Sequence, residues 1–184
     1  MLRFFLRVIA ILGLSFSSAA AANTDVVKKF HDAVHAGDIT TVRTMLAAEP
    51  SLATSVDEYR FQPIHLLDMY FERQILELLL ATGADINARN DEGITILHIV
   101  TDPDAVNVLI GKGADIEARD NRGRTPLVAQ LGNQQNGPDV VAALLESGAN
   151  PDAKDDSGMT ALAIARQTGD EDLVALITAS GTRN

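Results

Sequence analysis

"LLLATGADINARNDEGITILHIV", residues 78–100, contains a leucine-rich segment that stops at Thr82-Gly83-Ala84-Asp85. A polar stretch then turns at Gly93, and a second apolar segment opens with Thr95-Ile96-Leu97-His98. The order reads as a helix, a tight turn and another helix, punctuated by small and polar residues. Nothing in it has the form of an active site. Its meaning comes from recurrence.

The helix openings are Gln62-Pro63-Ile64-His65, Thr95-Ile96-Leu97-His98, Thr125-Pro126-Leu127-Val128 and Thr160-Ala161-Leu162-Ala163, with first residues 33, 30 and 35 apart. The glycines that follow, Gly83, Gly113, Gly148 and Gly181, step by 30, 35 and 33. Two independent markers share one rhythm, which identifies a repeat array. A degenerate copy lies upstream, with Phe30-His31 in the Leu-His slot, Gly37 between its helices, and Val42, Met45 and Leu46 as an apolar stripe.

Each marker has a mechanical task. The oxygens of Thr95, Thr125 and Thr160 can accept an orphan N–H at a helix start. Pro63 and Pro126 sit in the first turn, where a missing N–H costs nothing. Leu76, Leu79 and Leu80, then Val106, Leu109 and Ile110, then Val141, Leu144 and Leu145, give each second helix one buried face. Gly83, Gly113 and Gly148 end those helices at a left-handed position. Asp120-Asn121-Arg122-Gly123 and Asp155-Asp156-Ser157-Gly158 form tight turns, with Asn90-Asp91-Glu92-Gly93 as a near match.

The period of about 33 residues, the Thr-Pro-Leu-His type of helix start and the Gly-Ala-Asp endings (Gly83–Asp85, Gly113–Asp115, and Gly148-Ala149-Asn150) together resemble ankyrin repeats over residues 25–184. The resemblance implies an all-α solenoid of helix-turn-helix units joined by hairpin-like turns. Its five repeats are expected near 23–57, 58–90, 91–120, 121–155 and 156–184. The pattern is broken in four places. The third repeat lacks three residues after Val100, with Pro103 near the turn between its helices, and the fourth gains two within 132–139. The second has Arg60 for the turn glycine and Phe71 for the glycine between helices, and the first ends in Glu49-Pro50-Ser51-Leu52.

Residues 1–22 read as a secretory signal peptide. Arg3 and Arg7 precede the apolar run Val8–Phe16, and an Ala-x-Ala site stands at Ala20-Ala21-Ala22. The run is far shorter than the ~20 residues that span a bilayer. With no cysteine, an exported domain must be held by packing rather than by disulfides. Together with the lack of an Asn-x-Ser/Thr sequon, this makes the bacterial periplasm the expected compartment. The formal charge is −10, and removal of Arg3 and Arg7 leaves −12 on residues 23–184. That balance repels phosphate backbones and anionic lipid surfaces, so neither nucleic acid nor membrane is an expected partner.

Searches for chemistry fail one by one. His31, His65 and His98 recur 34 and 33 residues apart, but stacked helices lie about 10 Å apart and zinc bonds are ~2.0 Å long. The resemblance implies that these histidines bind neighbouring hairpin backbone instead. In "PDAKDDSG", residues 151–158, a calcium loop begun at Asp152 would place Lys154, Ser157 and Ala163 at its third, sixth and twelfth positions. None of these meets the requirement. "GKGAD" is too short for a phosphate loop, and neither a Gly-x-Ser-x-Gly elbow nor a cysteine nucleophile occurs. No catalytic residue, cofactor or metal is expected.

The resemblance implies a binding face along the hairpin tips and first helices. There the chain offers Tyr59, Phe61, Met69 and Tyr70 in the second repeat, Glu92 in the third, Arg122 and Arg124 in the fourth and Met159 in the fifth. Four of the five aromatics of residues 23–184 fall within 59–71. Two readings stand for them: contact with a partner, or packing that compensates for the weak fit of the first repeat. The expected activity is non-catalytic binding of another protein, a periplasmic enzyme or toxin, by a monomer. Exported ankyrin proteins of this size are similar to two groups. One blocks an enzyme that would damage the producer's envelope, and the other supports a periplasmic catalase in peroxide defence. The first is preferred, because a small binder with a concentrated aromatic patch suits stoichiometric inhibition. The rival is an enzyme or small-molecule binder built on the irregular loops 101–105 and 132–139.

Overall fold

The computed structural model describes residues 23–68, 70–131 and 137–181. The expected export signal, Met69 and most of the 132–139 loop lie outside these residues. The described elements are helices α1 (23–35), α2 (Ile39–Ala48), α3 (Arg73–Ala81), α4 (Ile96–Ile99), α5 (Pro103–Gly111), α6 (Pro126–Leu131), α7 (Gly137–Glu146), α8 (Ala161–Thr168) and α9 (Glu171–Gly181). Short 3₁₀ turns occupy Pro50–Thr54 and Pro63–Leu67. Among the described residues extended pairing is limited to one antiparallel bridge, Lys154 with Thr160.

The elements stack in two rows. Pro63–Leu67, α4, α6 and α8 succeed one another along one row, and α5, α7 and α9 along the other. The apolar stripes read from the sequence face the space between units. Val42, Leu46, Leu76, Leu79, Val106, Leu109, Val141 and Leu144 are all buried, in one continuous core. Phe71 packs at its edge, so the side chain in the glycine slot is absorbed by the stack. Pro103 proves to be the first residue of α5, and the Asp102 carboxylate accepts the Asp104 N–H. The three-residue deletion is therefore accommodated by a compact, capped helix start.

Four hairpins share one device. Oδ1 of Asp57, Asn90, Asp120 and Asp155 each accepts two backbone N–H groups, from residues two and four further on. The same residue's N–H bonds the carbonyl four residues on, and its carbonyl accepts the N–H three residues on. The turn is thus self-contained, because a short acceptor side chain replaces the ladder partner that an isolated hairpin lacks.

Candidate protein-binding surface

The hairpins differ in how they meet their neighbours. At the third and fourth tips a rung is closed: the Asn121 N–H donates to the Glu92 carbonyl at 2.9 Å, and the Asp156 N–H to the Arg122 carbonyl at 3.0 Å. Such close approach needs glycine one residue on. A Cβ at Gly123 would lie 2.9 Å from the Asp156 backbone nitrogen and against its carboxylate. The second tip has Arg60 there, at φ 65°, the one non-glycine residue with positive φ among the described residues. No rung joins Tyr59 to Asp91; the contact made is an exposed ion pair, Arg60 Nε to Asp91 Oδ1, at 3.4 Å. One side chain in a glycine slot thus leaves the second tip detached from the ladder.

The exposed aromatics are Tyr59, on that tip, and Tyr70, which follows the 3₁₀ turn Pro63–Leu67 and precedes α3. Tyr59 is 68% and Tyr70 65% exposed. The Tyr70 ring meets the His35 ring edge-on at 6.4 Å. The other sequence candidates divide. Phe61 is half-buried, edge-on to His65 at 5.6 Å. Arg124 is committed to Asp120, with Nη2 to Oδ2 at 2.6 Å. Burial acts to raise the pKa of Asp120, but its bonds from Arg124 and Arg122 outweigh it and hold the carboxyl below its ordinary range. Met159 is half-buried and closes its hairpin through its backbone. Glu92 and Arg122 are exposed on adjacent tips. Met69 lies outside the described residues. The two tyrosines and Phe61 are thus gathered at one end of the stack, while Glu92, Arg122 and Arg124 lie along its next tips.

The histidines show why the first repeat differs. His65 Nε2 donates to the Ala88 and Ile94 carbonyls, both at 3.1 Å, while Nδ1 accepts the Gln62 N–H. His98 repeats this, donating to the Arg124 carbonyl at 3.1 Å and accepting from Thr95. These are the backbone clamps implied by the resemblance, and burial holds both imidazoles below the ordinary histidine value. Each of these rings sits three residues after a helix start, where a backbone N–H is free. His31 lies deep in α1, where helix geometry commits the Lys28 N–H to the carbonyl four residues back. Its Nε2 meets the Ser55 Oγ at 3.1 Å, and its buried Nδ1 has no hydrogen-bond partner among the described residues.

Next to this ring a groove of about 670 Å³ opens between α1 and the second hairpin. Lys28, Asp32, His35, Asp57, Glu58 and Leu66 are among its walls. Tyr70 adjoins it through His35, and Tyr59 follows Glu58 in the chain. Sequence reasoning located the aromatics but missed the groove and the unsatisfied nitrogen. The available signal was Lys28, which stands where Gln62 and Thr95 precede the other two histidines.

Among the described residues no group of three His, Cys, Asp or Glu side chains is arranged to hold a metal. No described helix is long and apolar enough to cross a membrane. Comparison with known proteins agrees with the architecture. A family model for ankyrin repeats (3 copies) matches residues 66–155 and 100–184. Among curated proteins, Ankyrin repeat domain-containing protein 35 of Homo sapiens is 34% identical over 65 residues, which are 35% of this chain and 6% of that protein. The chain therefore spans only a small part of that relative's length.

Proposed function

Because the chain belongs to the ankyrin-repeat family, a family of protein–protein interaction modules, we propose that it is an exported, non-catalytic binder that inhibits an envelope enzyme one-to-one. The observation that carries this reading is a pair of exposed tyrosines, Tyr59 at 68% on the detached second tip and Tyr70 at 65% against His35 of the groove wall. Tyr59 has no ring contact with another described residue, and Tyr70 has one, edge-on to His35. Tyrosine is over-represented among residues that dominate binding energy, because it buries a large area and keeps a polar tip. Immobilising few side-chain torsions limits the entropy cost of docking.

Export supplies the compartment in this reading, and the lack of cysteine suits a domain that depends on core packing there. Inhibition follows from geometry if the aromatic tip covers a catalytic mouth. The test is capture from periplasmic extract, identification of the retained protein, and titration of its activity with this chain. Loss of activity at one equivalent supports the proposal. Retention of a catalase whose activity persists or rises would replace inhibition with support of peroxide defence.

A further inference from the structure

Resting on that reading, we infer that the groove between α1 and the second hairpin receives an arginine of the partner protein, on a short basic segment. Among the side chains named above the groove has three carboxylates, Asp32, Asp57 and Glu58, against one lysine. Its lysine, Lys28, is paired with Asp32 at 2.9 Å. The Asp57 Oδ1 is held by two backbone N–H groups. The Glu58 carboxylate makes no hydrogen bond or ion pair with any described residue and is exposed. Val27, Val56 and Leu66 give the same groove apolar wall.

A second, independent feature is His31, which lines the groove at 6% exposure. Its tautomer follows from its neighbour. The Ser55 hydroxyl donates to the Leu52 carbonyl at 2.8 Å, so the His31 Nε2 must donate to that oxygen. Nδ1 is then a bare lone pair, a buried acceptor with no donor. Leaving such a group unsatisfied costs free energy that a bound donor can recover. His65 and His98, by contrast, are satisfied at both nitrogens.

The chemistry missing from the groove is thus an apolar stem ending in several N–H donors that carry positive charge. Arginine has that form. Its guanidinium has five N–H groups in a rigid plane, enough to meet Glu58, the outer face of Asp57 and His31 together. Its methylenes can lie along the valines and leucine. Tyr70, whose ring meets His35 of the groove wall, can cover the guanidinium face. Lysine offers a compact charge without the planar reach, and the net charge of −12 on residues 23–184 draws a basic segment toward this surface.

The probe is the peptide acetyl-leucyl-arginyl-leucinamide, titrated into the isotopically labelled protein and followed by the His31 ring and Glu58 amide resonances. Saturable shifts at both positions are expected. Replacing arginine by citrulline, a neutral isostere, should weaken binding at least about tenfold, as for loss of a charge-assisted hydrogen bond. Glu58→Gln, which touches no packing, should weaken it at least about threefold. Absence of shifts at His31 with millimolar peptide, or equal binding of citrulline, overturns the inference. Partner capture is scored separately with Tyr59→Ala/Tyr70→Ala. A partner still retained through the tyrosines while the peptide ignores the groove removes the arginine and leaves the binding module standing.

Discussion

The second and fourth hairpin tips are built by the same turn and meet their neighbours differently. Asp57 and Asp120 each gather two N–H groups on one oxygen. At the fourth tip, Gly123 lets the next repeat approach, the Arg122 carbonyl takes the Asp156 N–H, and Arg124 is locked to Asp120. At the second tip Arg60 takes the place of that glycine, no rung forms, and the tyrosines on either side of Phe61 stay in solvent. Local turn chemistry makes a hairpin; the residue one step beyond its apex decides whether the hairpin joins the ladder or remains available to a partner.

The largest effects should come from the core that both tips share. Leu79 and Leu144 are each 0% exposed, so Leu→Ala at either site should cost roughly 2–5 kcal/mol in denaturant unfolding. Near-neutral results at both would dissolve the common scaffold on which the comparison rests. Next come the apex glycines. Gly123→Ala combines a left-handed backbone with a clash against Asp156, and should cost about 2 kcal/mol or more. Gly158, at φ 80°, has nothing within 4 Å of a built Cβ; Ala there should cost only about 1 kcal/mol. Equal costs would show that inter-repeat approach does not matter at the apex.

Arg60→Gly tests the same idea in the opposite direction. It relieves a left-handed side chain and loses one exposed ion pair, so a gain of up to about 1 kcal/mol is expected. Slower amide exchange at Asp91 should accompany it if the missing rung closes. A loss of stability would mean that the ion pair, and not the blocked approach, sets the geometry of this tip.

A pH titration separates the clamped histidines from the turn carboxylates. Burial lowers the pKa of His65 and His98 from 6.5, so in the window below 6.5 the unfolded chain binds protons that the folded chain refuses. Stability is therefore full above pH 6.5 and falls as pH drops below it. Asp120 is held below 3.8, so its contribution survives above that pH and is lost as pH falls through its lowered value. Melting temperatures that stay flat from pH 7 to 5 would contradict the histidine half.

The repeat was legible because its markers are local: Thr and Pro open helices, glycines close them, and an Asp or Asn begins each tip. Arg60 was visible as a missing glycine, but its consequence was not. Only the packed structure shows that the rung made at the third and fourth tips is missing here and that an Arg60–Asp91 ion pair stands in its place. Likewise, Tyr59, Phe61 and Tyr70 are alike as aromatics in a sequence, yet Phe61 turns onto His65 while the tyrosines stay out. Arg124 looked like Arg122 until its pairing with Asp120 was seen. The open nitrogen of His31 depends on its place inside a helix rather than three residues after a helix start, beyond the reach of a repeat-slot argument.

The central claim is that the second tip binds and the fourth tip stacks. Calorimetry of Tyr59→Ala/Tyr70→Ala against the captured partner, beside thermal melts of the same protein, tests it most directly. Binding should weaken at least about 30-fold, or ~2 kcal/mol, with the melting temperature nearly unchanged because exposed side chains add little to the stack. Normal binding by the double variant would place the interface elsewhere, and unfolding of the variant would show that the tyrosines hold the first repeats together.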